Sequence, residues 1–127
     1  MDDYKSAAVR HFSDAKYLFD SGKTDNAGHL IGFAAECAIK YKITTLRPGQ
    51  NAPHGHFPDI VGAAKRHLAG RNPAAFGMLQ HLNAGGLDGW NVNRRYNQTG
   101  VTTSEELASW FQFAQRLLAT TGIKERG

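Results

Sequence analysis

Apolar residues between positions 3 and 20 fall at Tyr4, Ala8, Phe12, Ala15 and Phe19, steps of four, four, three and four that trace one stripe of an amphipathic helix. Ser21 and Gly22 end it. Residues 25 to 46 open on "TDN", which is good N-cap chemistry, and continue as "AGHLIGFAAECAIKYKITTL" with few polar positions. A helix so apolar around its circumference is expected at the centre of the fold. The row Gly28, Gly32, Glu36, Lys40 crosses it at steps of four, and two glycines there would admit a neighbouring backbone closely.

The stretch "RPGQNAPHGH" is a loop, since its prolines and glycines exclude regular structure. Helical spacing resumes in "FPDIVGAAKRHLAG", with Pro58 suited to a first turn and Gly70 beyond the end. "NPAAFGMLQHLN" restarts after Asn72 as a broken helix or two short ones. From Thr102 two overlapping capping boxes, Thr102 with Glu105 and Thr103 with Glu106, precede Leu107, Trp110, Phe111, Ala114, Leu117, Leu118 and Thr121 at helical spacing, and Gly122 ends the run. No segment alternates long enough to predict a strand, and no repeat or low-complexity tract is present. The expected fold is all-α, an antiparallel bundle of four to five helices formed as a single domain over residues 1–127.

Composition changes this picture little. Apolar residues make up 41% and charged residues 20% of 127 positions, an ordinary soluble balance, and the formal charge of +4 tilts weakly toward an anionic partner. Cys37 is the only cysteine, so no intrachain disulfide can form, and its helical context reads as a small buried hydrophobe. No apolar run is long enough to span a bilayer, and the start of the chain carries Asp2 and Asp3 rather than a basic leader. A soluble, cytoplasmic protein without membrane contact is expected.

Six histidines raise the question of a metal, but His54 and His56 sit two apart in a loop, and His11 and His29 fall on different helices. No His-x3-His or cysteine-rich spacing accompanies them, so neither metal nor cofactor is expected. His56 reads as a local anchor for the third helix. Phosphate loops and G-x-S-x-G elbows are lacking as well. Glu36 stands alone on the apolar helix and needs a partner, for which Lys40 or an arginine of the 88–100 segment is available, so a structural ion pair is favoured over a catalytic role.

The segment "HFSDAKYLFDSGKTDNAGHLIGFAAECAIK" resembles the first helical hairpin of HEPN domains, with its Ser-Gly break and the pattern Ala35, Glu36, Ala38, Lys40. "HGHFPDIV" is similar to the histidine-led third helix of that family, and "RRYNQTG" before "SEELASWFQFAQRLL" to its Arg-Tyr segment and final helix. The likeness spans most of the chain through short motifs in the right order. It implies a helical bundle that forms a homodimer, a nucleotidyltransferase partner, and a place in a toxin-antitoxin or defence-type module. Many HEPN proteins are metal-independent ribonucleases with a late Arg, four to six residues, then His.

That late pair is missing, because no histidine follows His81. The one window of matching length, Arg47 to His54, lies in the loop after the second helix; Arg47, His54 and His56 are thus the weak catalytic candidates. In "DGWNVNRRYNQTG" the cations Arg94 and Arg95 stand with Trp90 and Tyr96. Arginine forks onto phosphate and stacks on aromatic rings, so these four residues, with Glu36 and Lys40, are expected to bind a nucleotide or RNA. The competing account pairs one arginine with Glu36 and packs Tyr96 on the last helix. A non-catalytic binder is the leading expectation; a ribonuclease toxin and a structural dimerisation module are the alternatives.

Overall fold

The computed structural model describes residues 3–47, 49, 55–56, 59–68, 73–83, 87, 90, 100 and 102–123. Among them are five α-helices and no strand: α1 (Tyr4–Asp20), α2 (Thr24–Leu46), α3 (Asp59–Leu68), α4 (Phe76–Asn83) and α5 (Ser104–Thr121), with a 3-10 turn (Pro73–Ala75) leading into α4. The protein is an all-α helical bundle. The segment after Asn72 is thus a 3-10 turn that runs directly into a short helix.

Local chemistry sets the helix ends. Asp3 caps α1 by accepting from the Ser6 amide at 2.9 Å. At its far end the Gly22 amide donates to Phe19 O and the Lys23 amide to Leu18 O, the Schellman pattern, which needs the left-handed φ of +81° that Gly22 supplies. α5 begins at the second of the two predicted boxes, with Thr103 Oγ1 accepting from the Glu106 amide at 3.1 Å. It ends in a second Schellman pattern, with Gly122 at φ +84° and buried Ile123 folding back over the last turn.

α2 is the central element and packs chiefly against α1 and α5. Ten of its residues are buried, among them Ala27, Ile31, Ala34, Ala35, Ala38, Ile39 and Ile43. Small residues at four of those seven positions let neighbouring helices approach, and the isoleucines fill the space between. From α5 come Leu107, Trp110, Phe113, Ala114, Leu117 and Leu118, and from α3 Ile60, Ala63, Ala64 and Leu68. Each fully buried leucine or isoleucine contributes about 1.5–3 kcal/mol relative to exposure.

On α5 the deepest stripe passes through Phe113, while Phe111 is half-buried and stacks on Phe19 at 5.4 Å. The two glycines of α2 do admit close neighbours, but these are aromatic rings rather than a backbone. Gly28 faces Trp110 and Thr102, and Gly32 faces Trp90. Among the described residues no helix is long and apolar enough to cross a membrane.

Candidate functional site

One face of α2 collects the groups able to do chemistry. His29, Phe33, Glu36 and Lys40 follow one another at steps of four, three and four, so they share a side of the helix. His11 of α1, His56 ahead of α3, and Trp90 cover this face. Phe33 is the hub: its ring centroid lies 4.6 Å from His29, 5.8 Å from His11, 6.0 Å from Trp90 and 6.5 Å from His56.

Below this aromatic group the Glu36 carboxylate has two partners. Oε1 accepts from Nδ1 of His56 at 2.9 Å, and Oε2 accepts from Lys40 Nζ at 3.3 Å. Side-chain exposure is 10% for Glu36 and 14% for Lys40 but 56% for His56, so the carboxylate is sheltered while the imidazole faces water. Lys40 is one of the partners expected for Glu36 from the sequence. Because Nδ1 donates to the carboxylate, Nε2 is the basic nitrogen of the neutral His56 ring. His56 also anchors α3, its carbonyl accepting from the Ile60 amide at 2.9 Å.

Burial disfavours charge on the groups behind this pair. His11 is lowered below its ordinary value, first by burial and then by Arg10, with Asp14 and Glu36 opposing. The Cys37 thiol is pushed up to about 11, chiefly by burial and next by Glu36. A thiol so protonated is a poor nucleophile. Among the described residues no group of three or more His, Cys, Asp or Glu side chains could hold a metal ion.

Trp90 occupies the upper end of the face. It is only 4% exposed, and its Nε1 donates to Gly28 O at 2.8 Å. The turn that delivers it is closed by the Trp90 amide on Leu87 O, with buried Leu87 held at a left-handed φ of +47°. Such a conformation is uncommon for a branched side chain and costs about 1 kcal/mol or more. The indole of Trp90, one of the residues expected to contact a ligand, is a buried group clamped to α2.

Ten positions later the chain is fastened again. Asp25, in the first turn of α2, accepts the Gly100 amide on Oδ2 at 2.8 Å and the Thr102 amide on Oδ1 at 3.1 Å. Arg94, Arg95 and Tyr96, which lie between these anchors, fall outside the described residues, as does His54. Arg47 caps α2, and its guanidinium donates to Nδ1 of His67 on α3. Of the three weak catalytic candidates, then, Arg47 goes to His67 and His56 to Glu36.

Sequence reasoning missed the role of Asp25, the Arg47–His67 contact and the gathering of three histidines around Phe33. Only the first had a local signal, an acidic residue in a helix first turn, and that signal ordinarily marks dipole compensation. No family model, curated protein or solved structure matches the chain.

Proposed function

We propose that this protein is a HEPN-like helical module that binds a nucleotide or RNA without cleaving it, through Arg94 and Arg95. The observation that carries this reading is the double fastening of the segment that bears them. Trp90 is clamped at Gly28 and Gly32, and Gly100 and Thr102 are held by Asp25, so the described residues on either side of the segment are both held by the first turns of one helix. A segment whose two ends are held loses less entropy on binding than a free arm. Two guanidiniums there give forked contacts for a phosphate. As in the resemblance from which it starts, the proposed protein acts as a cytoplasmic homodimer with a nucleotidyltransferase partner in a toxin-antitoxin or defence-type module.

The test is the double variant Arg94→Ala with Arg95→Ala. Its affinity for labelled oligouridylate and for uridine monophosphate falls at least tenfold while the helical circular-dichroism spectrum stays as in the parent. Unchanged affinity rejects the site.

A second reading, a metal-independent ribonuclease, is favoured by the Glu36–His56 geometry. A sheltered carboxylate orients an exposed imidazole with Nε2 free to take a proton from a ribose hydroxyl, as general-base catalysis requires. Cleavage of a labelled transcript in chelator, lost in His56→Ala, decides for the nuclease; an intact transcript with the parent protein decides for the binder.

A further inference from the structure

We propose that His56 is a phosphoryl-acceptor site, taking a phosphoryl group on Nε2 from a donor of the phosphoramidate class. The proposal goes beyond the reading above and does not depend on the binding of a nucleotide or RNA.

An imidazole is a good nucleophile toward phosphorus when its ring is open to water, its tautomer is fixed, and an anion stands ready for the charge the ring acquires on attack. His56 meets each condition. It is the one exposed histidine among the described residues. Its Nδ1 donates to Glu36 Oε1 at 2.9 Å, which leaves the lone pair on Nε2, the nitrogen farther from the backbone. The carboxylate is sheltered at 10% exposure, against 56% for the ring, so its charge acts on the imidazole with little screening. Lys40 Nζ, 3.3 Å from Oε2, holds the other oxygen and keeps the carboxylate in place.

The other described histidines lack this combination. His11 and His29 are half-buried against Phe33. His67 accepts on Nδ1 from the Arg47 guanidinium, so its proton is on Nε2 and that nitrogen has no lone pair. His81 donates from Nε2 to Phe113 O and stacks on the Phe113 ring at 4.7 Å.

The place of His56 in the chain also suits an added anion. Its carbonyl accepts the Ile60 amide at the start of α3, so the residue stands at the positive end of that helix's dipole. Two carboxylates oppose the new charge, Asp59 of the first turn and Glu36, and Lys40 offsets the second.

In the transfer the Nε2 lone pair forms a bond to phosphorus while the P–N bond of the donor, protonated on nitrogen, breaks. Ammonia leaves with the bonding electrons, and phosphorus keeps its oxidation state. The ring, now a cation, keeps its Nδ1 proton on Glu36. A phosphoryl group there occupies the nitrogen a general base would use, so modification and ribose deprotonation exclude each other.

The full chain is incubated with potassium phosphoramidate at neutral pH and followed by intact mass, peptide mapping and phosphorus NMR, which separates the two ring isomers. Expected is a first phosphoryl group on His56 Nε2, stable in alkali and lost in acid. It forms at least about tenfold faster than on His56 of the same chain unfolded in urea, the gain from a charge-assisted contact to the developing cation. His56→Gln removes this label. Glu36→Gln, whose amide oxygen accepts from Nδ1 but brings no charge, lowers the rate to that of the unfolded chain, with the helical circular-dichroism spectrum as a folding control; the comparison of folded and unfolded parent stands without it. Equal rates in folded and unfolded parent, first labelling at another histidine, attachment through Nδ1, or an undiminished rate in folded Glu36→Gln overturns the proposal.

Discussion

Replacing Gly32 with alanine tests the join between the fold and the proposed site. Gly32 is buried in the middle of α2, and a Cβ built on it would overlap the Trp90 indole at Cε2, Cζ2 and Nε1. The ring has nowhere cheap to go, because it is buried and its Nε1 donates to Gly28 O, one turn earlier. Over-packing of this kind costs about 1–3 kcal/mol. Losing the indole hydrogen bond adds about 1 kcal/mol. Against these, alanine is the better helix former by about 1 kcal/mol. The balance is a destabilisation of about 2 kcal/mol, read as a lower midpoint in urea unfolding followed by circular dichroism. Gly77→Ala in α4 is the matched control: its new methyl meets nothing within 4 Å, so only the propensity gain remains, about 0.5–1 kcal/mol of added stability. Because Trp90 fastens one end of the arginine segment, Gly32→Ala also weakens oligouridylate binding, and Gly77→Ala does not. A Gly32→Ala protein as stable as its parent, with unaltered affinity, would refute the placement of the indole on α2.

Asp25→Ala removes the acceptor for the Gly100 and Thr102 amides and should cost about 1–2 kcal/mol, with a loss of ligand affinity that a purely structural role for the segment would not produce. Thr103→Ala removes the cap of α5 and costs about 1 kcal/mol in urea unfolding, with binding unchanged. With its thiol at about 11 against an ordinary 9.0, Cys37 should react with iodoacetamide at pH 8 about a hundredfold more slowly than in the unfolded chain. Between pH 9 and 11 the folded state holds that proton more tightly than the unfolded state, so stability falls as pH rises through this window, and falls less in Cys37→Ala. His11 has the opposite dependence. Its lowered value means that below about pH 6.5 the unfolded chain takes up a proton that the folded one resists, so acid titration should destabilise the parent more than His11→Gln.

The sequence by itself determined the helices. Their stripes, their stops at Gly22 and Gly122 and the Thr103 box are read from residues three or four positions apart, because helix formation and capping are local. It also determined that Glu36, alone on an apolar helix, must have a partner, and Lys40 at i+4 was near enough in the chain to be named. Tertiary structure decided the rest. That Gly32 makes room for an indole 58 positions away, that Asp25 holds amides at 100 and 102, and that His56 completes the Glu36 pair depend on which loops return to α2. Arg47 shows the difference most plainly. Spacing within its own loop pointed to His54, whereas packing of α3 against α2 gave it His67. Such pairings carry no periodic signal, since contacts between distant segments are set by how whole helix faces are buried and not by the order of residues within any one of them.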